Sequence, residues 1–178
     1  MRILKYILPI VVLSFFFYKM TIKYVPDVIY SRVKSKMLGQ SAIQENELRL
    51  LPFPDENSRA VVMPNPDFAY VSMFYDLSDG PLHVTGKMPD STYWSVALYE
   101  PNTSNHFVKN DMQYGNSNLN IVIGNLDQKP TLVSGAELIN SPTKEGFLLL
   151  RLLGTERSDE ERQKMIELMK NIKTKQVI

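Results

Sequence analysis

Phe68 to Glu100 reads FAYVSMFYDLSDGPLHVTGKMPDSTYWSVALYE, and this stretch decides the fold. Phe68 to Asp76 is rich in aromatic and branched side chains, which suit a pleated, half-buried surface, so it is a strand candidate. LSDGP, Leu77 to Pro81, is a turn in which Gly80 supplies a positive φ and Pro81 opens the next strand. Leu82 to Met88 is that strand, and Pro89 to Ser91 turns the chain again. Thr92 to Glu100 alternates, with Trp94, Val96 and Leu98 on one face and Ser95, Ala97 and Tyr99 on the other. Period-two patterning with a turn signal every eight to twelve residues predicts an antiparallel sandwich or barrel.

Working outward, Ala60 to Met63 reads as a short strand stopped by Pro64-Asn65-Pro66. His106 to Lys109 is expected to pair with Leu119 to Ile123 across the loop NDMQYGNSN, and Thr131 to Val133 is a weak strand. Phe147 to Leu153 is apolar except for Arg151, which predicts a central strand buried on both faces. Ser158 and Glu161 have capping-box spacing, and Met165, Leu168, Met169 and Ile172 form one apolar face. This predicts a terminal helix lying on the sheet. The fold class is mainly β: an antiparallel β-sandwich or barrel-like domain with an N-terminal transmembrane helix and a C-terminal helix packed on the sheet.

The amino-terminal end carries a different signal. Ile7 to Tyr18, ILPIVVLSFFFY, is uncharged and bracketed by Lys5 and Lys19. It is short of the roughly 20 residues that span a bilayer core. Read from Ile3 to Ile22, with the two lysines snorkelling to the interfaces, it has that length. A cleaved signal peptide is the competing reading, since Arg2 and Lys5 make a basic amino-terminal region. Bulky and basic residues follow Tyr18, with no small-residue cleavage site, so retention is expected. Pro26 and Asp27 look like the first turn of a separate helix ending near Gly39. Its stripe Val25, Ile29, Val33 and Met37 is expected to pack on the domain as a stalk, with a basic membrane-surface helix as the alternative. The organisation is therefore an anchor over 1–24, a helical stalk and connector over 25–54 and a β domain over 55–178. Counting basic residues, Lys19, Lys23, Arg32, Lys34 and Lys36 against Asp27 put the long side in the cytoplasm. The absence of cysteine points weakly the other way, towards an oxidising compartment.

Composition excludes more than it identifies. A net charge of +1 leaves no electrostatic case for nucleic acid. With 44% hydrophobic and 22% charged residues the chain is ordinary globular material, and about 138 residues remain beyond the stalk, enough for one core. The two histidines, His83 and His106, sit on different strand candidates, so zinc lacks its ligand set. There is no nucleophile elbow, phosphate loop or dinucleotide fingerprint. No metal and no cofactor is expected.

The candidate ligand-binding residues are Asn65, Asp67, Tyr70, Asp76 and Arg151. Asn65 and Asp67 either close a turn by bonding their own backbone or, with Tyr70, form the polar corner of a cleft. Asp76 and Asp79 lack any EF-type calcium spacing. Arg151 needs a carboxylate, from Asp67 or Asp76, and failing that is an anion-binding candidate. The aromatics Tyr70, Phe74, Tyr75, Tyr93, Trp94 and Tyr99 are core and cross-strand pairs, or the docking face for another β domain. Tyr75 and Tyr99 are the first docking candidates. Two functions fit: a binding or assembly module for a partner protein or small ligand, or an enzyme on an envelope or imported small molecule built on Asp67, Tyr70 and Asp76. A deep pocket joining those groups would favour the enzyme, and a flat aromatic face the module.

Asn65-x-Asp67-x-x-Tyr70, then Asp76-Leu77-x-x-Gly80-Pro81, Tyr93-Trp94 and finally SPTKEGFLLLRLLGT with Arg151 stand in a specific order. The order resembles a bacterial exported or membrane-associated family, domain of unknown function 1254, over roughly residues 55 to 172. The resemblance implies an all-β, usually exported domain with no agreed activity. Longer members of that family are fused to a second β domain, domain of unknown function 1214, for which this chain leaves no room. It therefore implies a separately encoded partner carrying the second domain. It also moves the expected topology to a single-pass protein of the bacterial inner membrane with a periplasmic domain, against the charge count after Lys19.

Overall fold

The structure is a computed structural model, and it describes residues 4–39, 44–51, 53–54, 65–126, 133–154 and 158–177. Among these residues the chain forms helix α1 (Leu4–Gly39), β1 (Arg49–Leu50), β2 (Phe68–Asp76), β3 (Leu82–Lys87), β4 (Trp94–Tyr99) and β5 (Asn105–Asn110). Helix α2 (Asp111–Tyr114), β6 (Asn118–Asn125), β7 (Glu137–Ser141), β8 (Glu145–Leu153), α3 (Asp159–Lys170) and β9 (Lys173–Gln176) follow. The strands make two sheets, ordered β1-β2-β8-β4-β5 and β7-β6-β3-β9. All neighbours are antiparallel except β6 and β7, which are parallel. The fold is the mainly β sandwich that the alternation between Phe68 and Glu100 predicts.

The core lies between the sheets. Ala69, Val71, Met73 and Tyr75 of β2 and Trp94, Val96 and Leu98 of β4 face Leu82, Val84, Leu119, Ile121 and Ile123 of the second sheet, all buried. Gly80 closes the β2–β3 turn at φ 136, with its amide bonded to Leu77 O at 3.2 Å. Ser158 caps α3 by accepting from the Glu161 amide at 3.2 Å, and Met165 and Met169 are buried in the core as the apolar face requires.

Several expectations change. β5 does not pair with β6: β5 pairs with β4 in one sheet, and β6 with β3 and β7 in the other. The intervening loop holds α2, capped by a full capping box at Asn110 and ended by Gly115 in the left-handed region at φ 66. That compact turn carries the chain from one sheet to the other. β8 is central, as expected, but not buried on both faces: Gly146, Leu148, Leu150 and Leu152 are buried, while the alternate residues are partly exposed. The closing helix is followed by β9, an edge strand of alternating exposure. Val133 is not in a strand, and Ala60 to Met63 and Thr131 lie outside the described residues.

The anchor and stalk are not two helices. α1 runs unbroken for 36 residues, about 54 Å, with Pro26 inside it. Proline at a first turn and proline within a helix carry the same local sequence signature; within the helix it removes one backbone hydrogen bond and its ring crowds the carbonyl four residues back, a cost this helix absorbs. The stripe Val25, Ile29 and Val33 remains exposed, at 43%, 52% and 42%. A strict four-residue spacing drifts around a helix of 3.6 residues per turn. Tyr30, Lys34 and Met37 meet the sandwich instead: the Tyr30 hydroxyl donates to Gly146 O at 3.0 Å, and Lys34 pairs with Glu145 and, at 2.8 Å, with Glu45. Arg49 Nη1 donates to Met37 O at 3.1 Å. Among the described residues α1 is the one helix long and apolar enough to cross a membrane, and its apolar window is wholly exposed.

Candidate functional site

Strand pairing places Tyr70 and Arg151 on the outer face of the five-stranded sheet. Tyr70 lies opposite Arg151, Arg151 opposite Ser95, and Ser95 opposite Asn110, so four polar residues from four strands form one row. Arg151 Nε donates to Ser95 Oγ at 3.1 Å, so among the described residues a hydroxyl, not a carboxylate, receives it. Ser95 is fully buried beneath the guanidinium. Arg151 is thus held in an apolar strand by a cross-strand neighbour, a pairing that strand order decides.

Asn65, Asp67 and Tyr70 come together at one end of this face. The Asp67 amide donates to Asn65 Oδ1 at 2.9 Å, and the Phe68 amide to Asn65 O at 3.2 Å. The Tyr70 hydroxyl accepts from the Asn65 amide at 3.1 Å. These bonds close a turn that starts β2, which is the structural role open to an Asx residue there. Phe68, Tyr70 and Tyr93 pack their rings around the same corner, with Phe68 and Tyr93 edge to face at 6.0 Å.

Asp76 is not part of that corner. It sits six residues from Tyr70 along β2, roughly 20 Å away. Its surroundings are structural: Asn46 Nδ2 donates to Asp76 O at 2.9 Å, and the Asp76 amide donates to Asn46 Oδ1 at 2.8 Å. Asn46 adopts φ 66, its amide bonds Phe74 O at 2.9 Å, and its carbonyl accepts from Thr174 Oγ1 at 2.9 Å. One asparagine thereby clips the connector to β2 and β9. Asparagine tolerates the left-handed region, but no local pattern marks Asn46 beforehand. Burial alone would raise the Asp76 carboxyl; hydrogen bonds from Ser78 and the charges of Lys34 and Lys144 outweigh it and hold it below the usual carboxylate range. The enzyme reading that joined Asp67, Tyr70 and Asp76 therefore has its parts at opposite ends of the strand.

The two docking candidates separate as well. Tyr99 is half-buried on the outer face, opposite Phe147. Tyr75 is a correction: it is 0% exposed, points into the core, and its hydroxyl is 3.1 Å from Ser141 Oγ. A face-by-face count along β2 puts Tyr75 with Val71 and Met73, inside, so it cannot meet a partner. Between α1 and the sheet lies a small pocket, lined by Met37, Leu38, Glu47, Arg49, Ser72, Met73 and Phe74. No cluster of three potential metal ligands occurs among the described residues.

Three tyrosines make the fold sensitive to alkali. Burial raises Tyr75 to about 12, and it raises Tyr30 and Tyr114 further, helped by Glu145 and Glu137 respectively. A folded pKa above the unfolded value near 10 favours the protonated fold, so this stability is complete below about pH 10 and falls as pH rises through about 12. We expect denaturation midpoints to drop across that range, with the buried tyrosines ionising, by absorbance near 295 nm, only as the domain unfolds.

A two-sheet sandwich with a long apolar helix clamped to its edge defines a class of helix-tethered β domains. A family model described as "Protein of unknown function (DUF1254)" matches residues 45–175, and the chain belongs to that family. Among solved structures it is similar to the VPA0106 protein from Vibrio parahaemolyticus: TM-score 0.66, 13% identity, covering 85% of this chain and 35% of that one. A putative uncharacterized protein from Burkholderia cenocepacia aligns with a TM-score of 0.48 and 15% identity, over 72% of this chain and 36% of its own. The chain spans about a third of the length of these two structures. No curated protein matches it.

Proposed function

We propose that this chain is a single-pass, membrane-anchored β domain of the bacterial envelope that serves as a binding or assembly module. In this reading its amino terminus is cytoplasmic and its sandwich periplasmic. The observation that carries it is α1: an exposed apolar helix that continues without a break into the contacts of Tyr30 and Lys34 with the sandwich. The partner is a second β domain supplied by another chain. Two components tethered to one membrane need only a weak interface, since tethering raises their effective concentration. The docking surface is the outer face around Tyr99 and Val108, the latter 55% exposed on the edge strand β5.

A phosphatase fused after Ile178 should be active, because it folds only after export, and a cytoplasmic reporter at the same place inactive. The reverse pattern would put the domain in the cytoplasm. A photo-crosslinker at Val108 should capture a second β protein in cells, and Tyr99→Ser with Val108→Ser should release it with the circular dichroism unchanged. A wild-type protein that sediments as a lone monomer in mild detergent and crosslinks to nothing would end the module reading.

A further inference from the structure

The helix α1 has two opposite faces above the apolar span, and only one of them is used by the sandwich. At about 100° per residue, Tyr30, Lys34 and Met37 fall within one sector, the sector that meets β1, β2 and β8. Val25, Val28, Ile29, Arg32 and Lys36 fall in the opposite sector, within about 100° of arc. Val25, Val28 and Ile29 are 43%, 48% and 52% exposed, and Arg32 and Lys36 are exposed too. The order along the axis is apolar first, then basic. Tyr18 and Thr21 lie in the same sector below, so this face is continuous with the proposed membrane-spanning face.

We infer that this outward face of α1 is a lipid-contacting surface, covered by the headgroup layer of the anchoring membrane. It rests on the anchor reading above. Val25, Val28 and Ile29 lie three to seven residues, about 5–10 Å of helix, beyond Ile22, where the 20-residue span filling a hydrocarbon core of about 30 Å ends. A tilt towards this face, within the roughly 0–40° observed for spanning helices, lowers these three residues relative to the face that carries the sandwich. Tilting towards the face away from the sandwich sinks Val25, Val28 and Ile29 into the interface. Arg32 and Lys36, one and two turns further on, then reach the phosphate level, where basic side chains are favoured by anionic lipid. The sandwich rides on the upper side of the helix. With no linker between span and clamp, it is a body of fixed pose at the membrane surface, not a domain on a loose stalk.

The chain has no cysteine, so single spin labels need no background removal. Full-length protein carrying Ile10→Cys, Val25→Cys, Val28→Cys, Ile29→Cys or Ser35→Cys is reconstituted in phosphatidylethanolamine–phosphatidylglycerol vesicles. Collision with oxygen, which prefers lipid, is compared with collision with a water-soluble nickel chelate. Labels at 10, 25, 28 and 29 should favour oxygen, with depth decreasing in that order, and the label at 35 should favour the chelate. Labels at 25, 28 and 29 that favour the chelate, while 10 remains deep, would overturn the inference and leave the anchor standing. Labels shielded from both reagents would also overturn it, because protein would then cover the face. A label at Ile10 that favours the chelate would overturn the anchor and this inference together.

Discussion

Gly146→Val is expected to lose at least about 3 kcal/mol of stability, the upper range for overpacking a core. Gly146 lies opposite Tyr75 on the inner face, and a Cβ there would overlap the Tyr75 hydroxyl and ring. It would also meet the backbone oxygen of Tyr99 at 2.7 Å, which cannot rotate away. The absent side chain is the space in which a fully buried tyrosine lies. Tyr75→Ala should cost about 3–5 kcal/mol by leaving a cavity, whereas Tyr75→Phe loses one hydrogen bond to Ser141 and should cost about 1 kcal/mol. Because the two residues share one space, Gly146→Val with Tyr75→Ala should be less damaging than the sum of the singles. Urea denaturation of the four variants measures this. Additive losses would show that Gly146 is needed for something other than room.

Trp94→Ala is expected to cost about 3–5 kcal/mol, comparable with much of a small domain's total stability. Trp94 is 1% exposed on the inner face of β4 and stacks on Tyr114 of α2, ring centroids 4.9 Å apart. Lys109 of β5 lies 4.6 Å over the same Tyr114 ring and pairs at 2.8 Å with Glu137 of β7 in the other sheet. The stack thus joins both sheets through the turn that carries the chain between them. Lys109→Met keeps the aliphatic contact and loses a partly exposed ion pair and a cation–π contact, so it should cost only about 1 kcal/mol. Thermal melts of the two variants should differ severalfold in their shift. Equal shifts would mean that the charge network, not the buried ring, holds the junction.

The amino-acid order by itself determined which faces of β2, β3 and β4 point inward, because side chains alternate with period two and the turn residues punctuate the strands. It determined the cap of α3 for the same local reason. It also determined the family, whose signature lies in closely spaced residues. What it left open was every relation between distant segments. β1, β7 and β9 are short or polar strands, made by pairing with neighbours, not by propensity. Arg151 acquired Ser95 as its partner, and Asp76 acquired Asn46, only when β4 and the connector were laid beside β8 and β2. Tyr75 carries the same aromatic signal as Tyr99, but counting by twos along the strands separates them: Tyr75 falls with Val71 and Met73 inside, and Tyr99 with Ser95 and Ala97 on the outer face. The continuity of α1 through Pro26 and the choice of Tyr30, Lys34 and Met37 as its contact face were tertiary decisions too. A helix presents several apolar and polar stripes, and the surface it meets selects among them.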